Sequence, residues 1–157
     1  TRLGLQALYE LLGRGCGAIQ GRGLDIGSGS GILALAAFKM GCTSVLALDR
    51  DPCARHETQA NIRLNHLEDV IRIDQRTLDR IDEGFDLIMA NLRFPTLKEV
   101  AIWAGSHLHA QGVLVVSGLL REELDRLKSN FATQGFESIW EGVEKRWAAG
   151  CFKMRRG

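Results

Sequence analysis

The apolar positions along the chain change period repeatedly. In "LGLQALYELLGRG" the residues Leu5, Leu8, Leu11 and Leu12 mark one face of a helix that ends in glycines. "GLDIG" reads as a short buried strand, and "SGILALAAFKMG" as a helix closed by Gly41. A second apolar strand, "SVLALD", covers Ser44 to Asp49. Pro52 suits the first turn of a helix running to about Asn65, with Asp51 as its N-cap. "VIRID" is a third strand, and "FDLIMAN", Phe85 to Asn91, a fourth that is apolar enough to be central. Pro95 opens a helix running to about His109 and ended by Gly112. "GVLVVSG" follows as a fifth strand, and "REELDRLKSNFATQG" as a helix stopped by Gly135. Two further strands, "FESIWEGV" and "WAAGCFKMR", close the chain.

Apolar strands spaced by helices predict a parallel sheet covered on both faces. The tail strands have no helix between them, so they predict an antiparallel edge. With no linker, repeat or low-complexity segment, residues 1–157 read as a single doubly wound α/β domain. A length of 157 residues is enough for one sizeable core.

Composition narrows the class only a little. The chain is 45% hydrophobic and 25% charged, with a formal charge of +1, which gives no sequence-wide electrostatic reason to bind nucleic acid. Local patches stay open, and the Lys153, Arg155, Arg156 group reads as a solvated strand end. The cysteines Cys16, Cys42, Cys53 and Cys151 form no C-x-x-C pair, so they read as reduced thiols of a cytoplasmic protein and not as a zinc site or disulfide framework. No apolar stretch reaches the roughly 18 residues that span a bilayer, and no signal peptide is visible.

The candidate chemistry lies in "LDIGSGSGILALAAFKMG", Leu24 to Gly41. In an open parallel sheet, ligands bind outside the carboxyl ends of the strands where the strand order reverses, and the first strand-to-helix turn lies there. Gly27, Gly29 and Gly31 occupy it. The dinucleotide fingerprint G-x-G-x-x-G requires its third glycine at position 32, which is Ile32, so that fingerprint fails. What stands instead is D-x-G-x-G-x-G, Asp25 to Gly31, with Asp49 closing the second strand. A carboxylate there can accept from both hydroxyls of an adenosine ribose. A lone G-x-G would be only a tight turn. The glycines together with the acidic strand end point to cofactor binding.

"LDIGSGSGILALAAFKMG", "LALDRDP" and "FDLIMANL" together resemble the class I S-adenosylmethionine-dependent methyltransferases. More narrowly, nearly the whole chain resembles the catalytic domain of the large-subunit ribosomal protein eleven methyltransferases, from "TRLGLQALYELL" through "VSGLLREE" to "EKRWAAGCFKMR". The resemblance implies a mostly parallel Rossmann-like methyltransferase sheet and methylation of protein amino groups in the cytoplasm. It implies S-adenosyl-L-methionine as cofactor, S-adenosyl-L-homocysteine as product, and a protein substrate such as a ribosomal protein. It implicates Thr1, Gly27, Asp49 and Asn91 in holding the cofactor, with Asp25, Ser28 and Gly29 shaping the turn around its methionine end.

Three departures from the family pattern stand out. A glycine-rich segment with a histidine, and a whole N-terminal substrate-recognition domain, precede the position of Thr1 in family members. Here neither is present, which reads as an excised catalytic domain or a shortened relative. The residues after Asn91 are Arg93, Phe94 and Pro95 where the family has small apolar ones. The segment between the first helix and "GLDIG" is several residues longer than usual.

Methyl transfer from a sulfonium needs alignment above all, so no catalytic base is assigned. Glu83, Asp86 and the histidines have no spacing that singles one out, and His107 and His109 do not share a helix face. Asn91, Arg93 and Phe94 are the acceptor-side candidates. Asn91 reads either as orienting cofactor or amine or as a turn residue. Phe94 reads either as lining an acceptor pocket or as packing under the next helix, and Arg93 as holding an acidic partner or as solvated. Trp103, Trp140 and Trp147 read as core or edge packing, and no metal site is expected. Two other functions share these features: a methyltransferase acting on a small molecule or RNA, and a non-catalytic module that keeps the fold for a partner.

Overall fold

A computed structural model describes residues 1–15 and 17–155. Cys16 and Arg156, assigned above to the thiols and to the basic strand end, lie outside the described residues. The chain order is α1 (Arg2–Gly13), β1 (Arg22–Ile26), α2 (Ile32–Lys39), β2 (Ser44–Leu48), α3 (Pro52–Leu64), β3 (Ile71–Asp74), β4 (Phe85–Asn91), α4 (Phe94–His107), β5 (Leu108–Leu120), α5 (Leu124–Thr133), β6 (Phe136–Glu144) and β7 (Trp147–Met154). The segment before β1 holds a short 3-10 turn, Gly17–Gln20.

Among the described residues the strands form one seven-stranded sheet in the order β3-β2-β1-β4-β5-β7-β6. The first five strands of the chain pair in parallel, and β7 pairs antiparallel with both β5 and β6. The expected antiparallel edge is present, with the last strand inserted inside the penultimate one. From β1 the chain moves outward through β2 and β3, then returns to place β4 on the other side of β1. The strand order therefore reverses between β1 and β4, and the crevice opens at their carboxyl ends.

Alternation along each strand divides the core into two layers, because successive side chains point to opposite faces. Leu24, Ile88, Ala90, Leu114 and Val116 pack with Leu97, Ala101, Leu127 and Phe131 of α4 and α5. Leu87, Met89, Val113 and Val115 pack on the opposite face with Leu8, Leu11, Leu33, Ala37 and Ile62 of α1, α2 and α3. That alternation also sorts the polar strand residues. Asp25, Asn91 and Ser117 have the parity of the second layer, and so lie on the side of α1 and α2.

Two boundaries differ from the sequence reading. The fourth helix ends at His107 and not near His109, and β5 begins at Leu108. Leu108 pairs with Phe85 while Val113 pairs with Leu87, so extra residues of β5 are absorbed in an irregularity. Gly112 sits inside that strand and is not a helix stop. His109 accordingly lies on a strand, where its Nδ1 is 2.9 Å from Asp86 Oδ1. The fifth helix also starts later than "REEL", because Arg121–Glu123 form a 3-10 turn. There the Glu123 carboxylate accepts from the Leu120 backbone N–H at 2.8 Å.

Candidate active site

The glycine turn links the carboxyl end of β1 to α2. Gly27, Gly29 and Gly31 take φ of 69°, 57° and 76°, a left-handed conformation that glycine enters without steric cost. Gly27 and Ser28 both donate to the Leu48 carbonyl at the end of β2, which pins the turn against the neighbouring strand. The helix that follows has Gly31 as its N-cap and no side-chain cap there. Asp25 supplies one from β1: its Oδ2 accepts from the Ala34 N–H at 3.1 Å. With only 1% of its surface exposed, Asp25 is pushed up to a pKa of about 7. Burial is the chief cause, the Ala34 bond opposes it, and the Asp49 charge adds to it.

Asp49 stands just beyond β2 and is half-buried. Its Oδ2 accepts from the Gly29 N–H at 2.9 Å and its Oδ1 from the Asp51 N–H at 3.0 Å. Asp51 caps α3 as expected, accepting from the Cys53 N–H at 2.9 Å. Sequence reasoning missed the other clamp on the turn. The Thr58 hydroxyl donates to the Gly29 carbonyl and the Asn61 amide to the Ser30 carbonyl, both at 2.8 Å. Thr58 is fully buried and Ser28 lies beside it, the hydroxyls 3.4 Å apart. The legible signal was a Thr and an Asn three apart on one face of α3.

Asn91 ends β4 with its amide held at both ends. Its Nδ2 donates to the Thr1 hydroxyl at 3.1 Å, and its Oδ1 accepts from the Ser117 hydroxyl at 3.1 Å. Ser117, 1% exposed on β5, was also missed; its signal is a polar residue ending the apolar run "GVLVV".

These groups border two cavities. One, of about 400 Å³, is lined by Gly27, Asp49, Arg50, Thr77, Leu78 and Leu92 among others. The second, of about 430 Å³, is lined by Thr1, Arg2, Asn91, Leu92, Arg93, Ser117, Glu144 and Trp147 among others. Leu92 borders both. Phe94 does not: it is 5% exposed and packs in the α4 and α5 layer of the core. Arg93 is exposed, its guanidinium carbon 5.9 Å from the centre of the Trp147 indole. Trp103 and Trp140 pack against the two core layers as expected, whereas Trp147, 38% exposed, belongs to the cavity wall. Among the described residues, no three His, Cys, Asp or Glu side chains converge to hold a metal ion, and no helix is long and apolar enough to cross a membrane.

The arrangement is that of a crevice with a carboxylate at one end and an oriented amide at the other. The family description "Ribosomal protein L11 methyltransferase (PrmA)" matches residues 1–156. A ribosomal protein L11 methyltransferase of Pelobacter propionicus is 34% identical over 153 residues, covering 98% of this chain and 50% of the relative. One from Geobacillus thermodenitrificans is 33% identical over 150 residues, covering 95% and 46%. The chain thus spans about half the length of the curated relatives it matches. The crystal structure of a ribosomal protein L11 methylase from Lactobacillus delbrueckii subsp. bulgaricus aligns with a TM-score of 0.86 at 28% identity, covering 96% of this chain and 78% of that one. An S-adenosylmethionine-dependent methyltransferase from Clostridium acetobutylicum aligns at 0.75 with 12% identity over 95% of this chain and 91% of its own, a likeness of fold alone.

Proposed function

The chain belongs to the ribosomal protein L11 methyltransferase family, and on that premise we propose that it transfers a methyl group from S-adenosylmethionine to an amino group of a protein. The acceptor that the names of its relatives suggest is a ribosomal protein, met in the cytoplasm. The observation that carries the reading is the placement of Asp49 and Asn91 on either side of the Gly27–Gly31 turn, at the point where the strand order reverses.

The residues present fit the cofactor. Each Asp49 oxygen accepts one backbone N–H and keeps a further lone pair, which suits a pair of ribose hydroxyls. A Cβ placed on Gly29 would meet nothing within 4 Å, so the backbone is open to a ligand there. Asp49, Gly27 and Gly29 would hold the nucleoside side, and Thr1 and Asn91 the methionine side. Asp25 and Ser28 act from beneath the turn by fixing its shape.

When bound, S-adenosylmethionine supplies a sulfonium methyl that an amine lone pair takes by in-line displacement. The contribution of this chain is to orient and to exclude water, which is where such reactions gain most of their rate. Asn91 Oδ1 has one lone pair committed to Ser117 and one left to accept an N–H from the amine. That bond would turn the amine's own lone pair away from Asn91 and fix its direction. No side chain is assigned as base, since a lysine ammonium can lose its proton to water at the open mouth.

Calorimetric titration with S-adenosylmethionine, S-adenosylhomocysteine and NAD, repeated on Asp49→Ala, tests the cofactor. Binding of the first two alone, lost in the variant, is the expected result. Transfer of labelled methyl to ribosomal protein L11 tests the acceptor. Binding without transfer would reassign the acceptor, and no binding would overturn the proposal.

A further inference from the structure

The formal charge of +1 conceals an uneven distribution. The Lys98 ammonium and the Arg126 guanidinium lie 5.5 and 5.1 Å from the centre of the Phe94 ring. One residue earlier, Arg93 faces the Trp147 indole, and Arg146 lies 5.5 Å from the same ring. The Arg121 N–H donates to the Arg146 carbonyl at 2.9 Å, which joins the 3-10 turn before α5 to the β6–β7 turn of Lys145 and Arg146. These contacts gather six cations over the starts of α4 and α5 and the tip of the hairpin.

None of the six has an ion pair or a side-chain hydrogen bond among the described residues, whereas Arg72, Arg76 and Arg80 on and after β3 all pair with carboxylates. The acidic side chains on the same elements are engaged elsewhere. Asp125 pairs with Lys128, Glu123 accepts from the Leu120 N–H, and Glu144 bonds Arg2 at 2.6 Å. Glu99 lines the cavity at Asp49, which leaves Glu122 against the cluster. Like charges gathered without counter-charges repel. Arg93 also stands at the N-cap of α4, with no side-chain cap and no acidic residue in the first turn. A cation there opposes the helix dipole, which favours anions. An anion at this surface relieves the repulsion and meets the uncapped helix start.

Trp147 decides which anion. It is 38% exposed and flanked by two guanidinium groups. An aromatic platform with cations that track a phosphate backbone is how single-stranded nucleic acid is held without sequence preference. An acidic peptide would satisfy the guanidinium groups but has no use for the indole. We infer that this cluster binds single-stranded RNA, with Trp147 stacking a base and the cations following the phosphates. RNA is chosen over DNA because the single strands of the cytoplasm are RNA. It docks here as a partner and not as the methyl acceptor, so the inference stands apart from the methyl-transfer reading.

The full chain is titrated into a labelled uridine dodecamer, and anisotropy is followed from about 50 to 200 mM salt. Engagement of about four phosphates gives a slope of log affinity against log salt of about −3. Arg126→Ala and Arg146→Ala should each weaken binding about fivefold and reduce the slope by about 0.7, while melting with the parent. Trp147→Ala should weaken binding about tenfold with the slope unchanged. Arg72→Ala, at the far edge of the sheet, should change neither. No binding, a slope near zero, or unaltered binding in both arginine variants would overturn the inference. A glutamate dodecapeptide that displaces the RNA at equal concentration would overturn it in favour of an acidic protein segment.

Discussion

The Ser117 hydroxyl donates to Asn91 Oδ1 at 3.1 Å, so the direction of the Asn91 amide is set from β5 and not from the loop it precedes. Ser117 is buried and pairs in register with Asn91 across the two strands. Replacing it with alanine leaves the amide held only through its Nδ2 bond to the Thr1 hydroxyl. With a net hydrogen bond contributing about 1 kcal/mol, Ser117→Ala should slow methyl transfer by about fivefold. Binding of S-adenosylhomocysteine should change less than threefold. Single-turnover rates and calorimetry on the same preparation check this, and an equal loss in both would show a merely structural role.

How much of this was legible follows from chain distance. The turn from Gly27 to Gly31, the strand end at Asp49 and the cap at Asp51 are local patterns, and each stands where its spacing implies. Ser117 and Asn91 are 26 residues apart, and Asn91 and Thr1 are 90 apart. Nothing in the local pattern of either stretch records such a meeting. It depends on α1 packing across β5, β6 and β7, which brings Thr1 to the end of β4. The same holds for Arg2 and Glu144, whose pairing follows from the last strand inserting beside β5. His109 was misplaced for the opposite reason: the local pattern continued the helix, while pairing with β4 drew Leu108 into the sheet.

Asp49 joins binding to stability. Asp49→Ala removes the acceptor for the Gly29 and Asp51 N–H groups along with the proposed ribose partner. Bonds to a charged acceptor contribute about 1.5–3 kcal/mol each, so loss of both ribose bonds should lower S-adenosylhomocysteine affinity by at least about 100-fold. Thermal unfolding should shift down by several degrees. Asp49→Asn, which keeps one acceptor oxygen, should lie between the variant and the parent in both measurements.

Two glycines near the site separate strain from obstruction. Gly29 has φ 57° and open space where a Cβ would go, so Gly29→Ala bears only the left-handed penalty of about 1–2 kcal/mol. Its Cβ would nonetheless stand where the cofactor approaches, so binding should be lost from a chain that still folds. At Gly118, with φ 87°, a Cβ would lie 2.7 Å from Asn91 Oδ1 and 2.9 Å from the Leu92 carbonyl oxygen. Relief there requires backbone movement at the end of β4. Gly118→Ala should therefore lower the melting temperature well beyond Gly29→Ala, as calorimetry would record.

Asp25 makes stability depend on pH in a defined direction. Its pKa is about 7 in the folded chain against an ordinary value of 3.8, mainly because burial disfavours the charge. Below pH 4 both folded and unfolded chains hold the proton, and the group contributes no difference. Between about pH 4 and 7 the unfolded chain loses its proton first, so stability falls as pH rises. The loss approaches an order of 4 kcal/mol above pH 7. Asp74, Asp86, Glu83 and Glu141 are shifted the other way, held low by their bonding partners. Their contribution is present above about pH 4.5 and fades on acidification, so it does not mask the Asp25 slope. Asp25→Asn keeps an oxygen to accept from the Ala34 N–H but carries no charge. It should unfold at a higher temperature than the parent at pH 8, with the difference shrinking toward pH 4. A difference that stays constant across that range would mean that Asp25 acts only as the helix cap.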